Sequence, residues 1–371
     1  MSRDAHEQHA NSEFATSVRA LMLRILLLVA VPAAAILGYW LHAAPLLVFI
    51  VGAIAIAALA DWIRRATEQL AAHAGPAIGG LLAVSFGSAA ELVLAIFVLL
   101  DGKPEVVRAQ LTGSIMGTSL LGLGLAILAG GLSREKQSFK RERAGLLSSM
   151  LMLVMIALLL PAVFDLSGHA LGSQTLAATD EQLSLGVSIV LLALYAGNLV
   201  YTLVTHRGVF ETKGEEEAEW SLPLCLGVLI GATILVAFEA ELVSSALEHV
   251  SQTLGLSPIF LGVVVLALIG TSSDLFAAIA FAREDRMGLV MSICIGSAIQ
   301  VALVLAPLLV LISWALGHPM TLVFHRPLDL FAIAGTAFIV NAIAADGETT
   351  WFEGLLLVGV YSLLALAFFF S

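Results

Sequence analysis

Gly87-Ser88-Ala89-Ala90-Glu91-Leu92 interrupts a long apolar run, and Gly270-Thr271-Ser272-Ser273-Asp274-Leu275 repeats the pattern in the second half of the chain. Each copy is small and hydroxyl-bearing, places an acid fifth, and continues into apolar sequence (Ala95-Ile96 and Ala278-Ile279). A carboxylate at the middle of a bilayer costs about 2.5–3.5 kcal/mol on insertion scales, so acids there line ion pathways more often than they pack. Two matched copies point to one shared site.

The surrounding composition supplies the bilayer. The 371 residues are 60% hydrophobic and only 12% charged, against about 25% charged in soluble domains. The chain therefore reads as an all-α integral membrane protein whose constant partner is lipid. The net charge of −11 indicates no nucleic acid, because the basic residues sit in short loops. Met1 to Ala20 is polar, without the apolar core of a signal peptide, so the N-terminus is expected to stay on the cytoplasmic side. Cys225 and Cys294 both fall in apolar segments and suggest neither a disulfide nor a metal site. No cofactor is expected.

About 20 apolar residues cross a bilayer as a helix, and on that ruler about eleven spans fit. The second is expected at Ala44 to Trp62, the third at Pro76 to Leu100, the seventh at Leu222 to Leu247 and the eighth at Pro258 to Phe281. Basic residues gather at one set of span ends (Arg64, Arg65, Arg134, Lys136, Arg283 and Arg286 among them), with only Lys103, Arg108 and Arg326 opposite. That bias fits a cytoplasmic N-terminus and a bacterial inner membrane.

With the acids on the third and eighth spans, the chain divides into a tail and first helix (1–43), a five-helix repeat (44–205), an acidic linker (206–221) and a second five-helix repeat (222–371). An odd number of crossings inverts the second repeat, the build of many secondary transporters. The linker carries Glu211 and the run Glu215-Glu216-Glu217-Ala218-Glu219. Such a run is either a solvated connection or a segment that attracts cations.

Four acids fall inside the expected spans: Glu91, Glu239, Glu241 and Asp274. No Lys or Arg is expected at comparable depth, and the nine His residues fall in the tail, loops or span ends. A buried carboxylate without a basic partner is protonated, hydrogen-bonded or cation-bound, and switching among those states is antiport chemistry. Ser85, Ser88, Thr271, Ser272 and Ser273 add hydroxyl oxygens, an inventory that suits a hard cation such as Ca²⁺. Gly87 and Gly270 could loosen the helix and free backbone carbonyls. Glu239 and Glu241 are about 200° apart on a helix, so only one can face a common cavity.

A second repeated element follows each acid, Ser114-Ile115-Met116-Gly117-Thr118-Ser119 and Ser292 through Gln300. Small residues of this kind serve helix packing or the site. Gln300, an amide in an apolar span, needs partners.

At these residues the chain resembles the calcium/proton antiporters of the cation/calcium exchanger superfamily, the CAX type. The resemblance runs through Gly79-Gly80-Leu81-Leu82, Gly113-Ser114-Ile115, Ala240-Glu241-Leu242-Val243, Gly296 through Leu303 with Pro307, and Asp346-Gly347 with Trp351-Phe352-Glu353-Gly354-Leu355. It implies an eleven-helix inverted-repeat fold and Ca²⁺/H⁺ exchange at two central carboxylates, Glu91 and Asp274, each preceded by its glycine. Ser88 and Thr271 stand where the family usually has Asn, and Asp274-Leu275 where it usually has Glu-His. An amide ligand becomes a hydroxyl, and a possible imidazole proton carrier is lost.

The expected function is cation/proton antiport, with Ca²⁺ and H⁺ as the exchanged ions and Glu91 and Asp274 as the metal-binding pair. Gly87, Ser88, Gly270, Thr271, Glu241 and Gln300 complete the expected cation- and proton-binding set. The alternative on the same fold is a Na⁺ or K⁺/H⁺ antiporter. An intramembrane hydrolase is disfavoured, since the spans show no zinc-binding His pair and no Ser/His arrangement; proton coupling would exclude a simple channel.

Overall fold

The computed structural model describes the backbone of residues 29–41, 43–132, 134–170, 176–201, 218–317 and 319–371, with side chains except at 74–85, 168–170 and 176–178. The expected tail and most of the acidic linker lie outside these residues, as does the Ser85 side chain.

Among the described residues, eleven helices follow one another: α1 (Ala30–Trp40), α2 (Pro45–Gly87), α3 (Ala89–Leu100), α4 (Pro104–Gly131), α5 (Arg141–Ala170), α6 (Leu176–Val200), α7 (Leu222–Leu254), α8 (Pro258–Arg283), α9 (Met287–Ala315), α10 (Pro327–Ala344) and α11 (Trp351–Phe369). Among the described residues, nine helices are long and apolar enough to cross a membrane, α2 over Pro45–His73; α1 and α3 are shorter apolar helices. Large apolar side chains such as Leu153, Ile156, Phe331, Phe338 and Leu363 stand about two-thirds exposed on the helix flanks, a surface that water would penalise and lipid accepts.

Contacts between helix ends test the count of crossings. On the linker side, Trp62 stacks on Trp220 with ring centroids 5.9 Å apart, and Gln69 Oε1 accepts from Glu219 N–H at 2.8 Å and Trp220 N–H at 3.1 Å. Arg134 donates to the carbonyl of Arg283 at 3.1 Å on that side. On the opposite side, Ser244 donates to Asp101 at 2.5 Å, Arg108 to the Thr321 carbonyl at 3.3 Å, and Leu322 N–H to Ser184 at 3.0 Å. Every one of these pairs joins segments that eleven crossings put on the same side.

Two helix groups meet at the centre. The helices α3, α4, α8 and α9 pack on one another, while the long α2 lies along α7 with α1 beside them. Glycines set the closest crossing: a Cβ on Gly113 of α4 would overlap the Val263 carbonyl of α8, and one on Gly262 of α8 would sit 2.8 Å from the Val106 carbonyl of α4. Backbones that close allow dispersion contacts along the whole crossing, the usual substitute for hydrophobic driving force in lipid.

Three features depart from the sequence expectation. First, α2 continues unbroken from Pro45 to Gly87; the polar stretch after Trp62, read as a loop, is helical because Asp61, Arg64, Arg65 and Glu68 pair along one face. The break falls instead at Ser88, with φ −101° and ψ 20°. Second, Gly270 lies inside continuous helix; the local loosening is a π-helical turn just before it, Leu261–Leu266, and further π turns occupy Gly117–Gly122 in α4 and Val301–Leu305 in α9. Third, the fold is not purely helical: β1 (Gln137–Ser138) pairs antiparallel with β2 (Glu348–Thr349), with Gly347 at φ +77° making the turn into β2.

Candidate cation site

Glu91 sits in the first turn of α3, directly after the break at Ser88, where the positive end of the helix dipole faces a carboxylate. Its side chain is 2% exposed. The Ser114 hydroxyl of α4 donates to Glu91 Oε1, and Gln110 Nε2 reaches the Glu91 carbonyl at 3.5 Å. Ser114 can come this close because Gly113 lets α4 approach α8, while its own carbonyl accepts from Thr118 Oγ1 at 2.9 Å where the π turn begins. Hydrogen bonds to charged groups contribute about 1.5–3 kcal/mol, so this serine is a principal support of an ionised Glu91.

The second repeat presents the same plan with a different exposure. Asp274 lies one turn beyond Gly270 on α8, and Ser297 of α9 lines the same cavity beside it, its buried Oγ making no hydrogen bond among the described residues. The two carboxylates lie within electrostatic range of one another. Gly270 itself is pressed against Glu91: an added Cβ would stand 3.0 Å from Glu91 Cγ. A residue of one repeat thus forms the wall of the other repeat's acid.

Asp274 opens onto a cavity of about 390 Å³ on the linker side, which Gly87, Ser88, Ser297 and Gln300 also line. Glu91 does not line it. The structure therefore brings together six of the expected residues: Glu91, Asp274, Gly87, Ser88, Gly270 and Gln300.

It does not bring the other two. Thr271 is buried, but its Oγ1 donates to the Ala267 carbonyl of its own helix at 2.8 Å, turning toward Gly117. Glu241 is exposed on α7 and accepts from Tyr39 at 3.0 Å, outside the cavity. Its neighbour Glu239 is 1% exposed, with Oε2 toward Gly52 of α2, so the pair divides as the helical angle requires.

Sequence reasoning left three groups outside the expected binding set. Ser114 and Ser297 were readable: both follow a glycine, and each stands 23 residues after its acid. Arg64 was placed at a span end and excluded from the site's depth; in the structure it lines the cavity with Asp274, within electrostatic range. Among the described residues, no Lys or Arg hydrogen-bonds either carboxylate, and no cluster of three His, Cys, Asp or Glu forms a ready metal cage. A cation held here would take two carboxylates, hydroxyls, backbone carbonyls and water, the oxygen set of a hard ion.

The family model described as sodium/calcium exchanger protein matches residues 44–204 and again 224–370. The Ca(2+)/H(+) antiporter of Synechocystis sp. is 40% identical over 352 residues, covering 90% of this chain and 93% of its own. The Ca(2+)/H(+) antiporter ChaA of Bacillus subtilis is 37% identical over 344 residues, with 90% and 95% covered. The solved structure of native YfkE superposes with a TM-score of 0.80 at 33% identity, over 94% of this chain and 99% of that one.

Proposed function

The chain belongs to the sodium/calcium exchanger protein family, and from this premise we propose that it is a Ca²⁺/H⁺ antiporter that uses Glu91 and Asp274 as its exchange site. Relatives named as Ca(2+)/H(+) antiporters across nearly the full length support the ions. The observation that carries the site is the contact between repeats, with Glu91 against Gly270 and Asp274 one turn further on, at the end of a cavity.

Without a fixed basic partner in hydrogen-bonding reach, each carboxylate at that depth is neutralised by a proton or by the transported cation. The two occupants compete for the same oxygens, so a cation enters as protons leave. Competition at one site couples the two fluxes. The Ser114 hydroxyl holds the Glu91 carboxyl group, Ser297 stands beside Asp274 as its counterpart, and Ser88 and Gln300 offer further oxygens to an ion arriving through the cavity.

The two matched segments of the family model support a division into repeats near 44–205 and 222–371. The extensive α2–α7 pairing supports these two helices as a body that moves against the group holding the acids, opening the site to each side in turn. The bias of basic residues supports a cytoplasmic location for the cavity, in a bacterial plasma membrane, so that the proton gradient drives Ca²⁺ out of the cell.

Everted membrane vesicles test the proposal. Glu91→Gln and Asp274→Asn should each abolish Ca²⁺ uptake driven by a pH gradient while the protein still accumulates; normal uptake in either variant would defeat the site. Competition by Na⁺ or K⁺ in the same vesicles separates Ca²⁺/H⁺ exchange from monovalent exchange on the same fold.

A further inference from the structure

Two recesses on the linker side meet at one ion pair. The cavity that holds Asp274 and a second recess of about 310 Å³, walled in part by Glu219 and Trp220, share two lining residues, Arg64 and Glu68. The Arg64 guanidinium is held from both directions along α2: it donates to Asp61 Oδ1 at 3.0 Å and to Glu68. Its side chain is 16% exposed, so bulk water screens it only partly. Among the described residues, Arg64, Glu68 and Arg143 are the charged ones that line the cavity beside Asp274.

A guanidinium never loses its proton at physiological pH. Arg64 therefore places a permanent positive charge in the wall of the linker-side route to an acid that must receive a positive ion. Coulomb energy scales with the product of charges, so this charge weighs against a divalent cation twice as heavily as against a monovalent one. Bonding to Asp61 and Glu68 fixes the guanidinium in place and keeps those two carboxylates from capturing the ion short of Asp274.

We propose that Arg64 is an affinity-setting residue of the exchange: its fixed charge between the two recesses sets the Ca²⁺ concentration at which transport begins on the linker side. The inference rests on Asp274 as a cation ligand. Its consequence is an exchanger held idle at low Ca²⁺ and engaged when Ca²⁺ rises.

Initial uptake rates in everted vesicles, where the linker side faces the bath, measure this against bath Ca²⁺. Arg64→Gln and Arg64→Met, the second keeping an unbranched side chain in place of the stem, should each lower the half-saturating Ca²⁺ about tenfold with the maximal rate within about twofold. Arg64→Lys, which retains the charge, should stay within about twofold of the parent. An unmoved half-saturation in active charge-free variants overturns the proposal, as does a lysine variant that shifts as far as the glutamine one. Loss of both charge-free proteins from the membrane would make Arg64 a folding residue and overturn it too. Asp274→Asn run alongside keeps the two ideas apart. Uptake surviving in that variant sinks the site, whereas an unmoved half-saturation with Asp274→Asn inactive sinks only the role of Arg64.

Discussion

Gly270, in the second half of the chain, lies directly against Glu91 in the first: a carbon added at Gly270 would stand 3.0 Å from Glu91 Cγ and 3.2 Å from its Cβ. The matching glycine, Gly87, has nothing within 4 Å of such a carbon. The two repeats are alike in sequence and unlike in surroundings, since one glycine is a wall and the other borders open space. Gly270→Ala should therefore push Glu91 out of place and lower Ca²⁺ uptake at least about tenfold, misplacement of a reacting group by 1 Å being able to cost 100-fold. Gly87→Ala should leave uptake within about twofold. Equal effects in vesicle assays would mean the contact does not matter.

The Gly113 crossing predicts a different failure. Its added carbon would overlap the Val263 carbonyl, and a backbone atom cannot rotate away as a side chain can. Overpacking of this kind costs about 1–3 kcal/mol or more, and here it also displaces Ser114, the next residue. Gly113→Ala should melt well below the parent in detergent, whereas Gly288→Ala, with nothing within 4 Å, should melt as the parent does.

Ser114→Ala removes the hydroxyl that donates to Glu91 Oε1 while preserving the helix. Losing a hydrogen bond to a charged group costs about 1.5–3 kcal/mol, so half-saturating Ca²⁺ should rise roughly tenfold or more. Thr271→Ala, whose hydroxyl turns to the Ala267 carbonyl, should change half-saturation little. The contrast is read from Ca²⁺ titrations of the two variants.

The β1–β2 pair carries an exposed ion pair, Lys136 Nζ to Glu348 Oε1 at 2.5 Å. The hydrogen bond and charge of Glu348 hold the Lys136 ammonium above its ordinary value of 10.5. A raised lysine contributes its stability below the unfolded value and loses it as pH climbs through the folded one, so the pair is intact throughout the neutral range. Water screens an exposed pair, so Lys136→Ala should lower the melting temperature only slightly at neutral pH and leave the pH profile of uptake unchanged; a shifted profile would give this contact a role in proton coupling.

Much of the fold was legible because lipid imposes a simple rule: apolar stretches of fixed length mark crossings, and α4 through α11 fall where those stretches do, whereas the stretch from Pro76 to Leu100 is divided between the end of α2 and α3. The acids were legible for the same reason, as charges where charge is costly. What escaped depends on tertiary contact. The helical continuation through Asp61, Arg64, Arg65 and Glu68 looks like a loop to a hydropathy ruler, yet its ion pairs run along one helix face. The π turns at Gly117–Gly122, Leu261–Leu266 and Val301–Leu305 have no composition of their own, although such turns cluster at functional sites. Thr271 and Glu241 are chemically suitable ligands that the backbone aims elsewhere, toward Ala267 and Tyr39, an orientation that residue type alone cannot reveal.

The location of a bound ion tests the central claim most directly. A structure determined with Ca²⁺ present, with the ion identified by its anomalous scattering, should place one cation at about 2.3–2.6 Å from carboxylate oxygens of both Glu91 and Asp274. A cation bound within the membrane region that touches neither side chain would contradict the account.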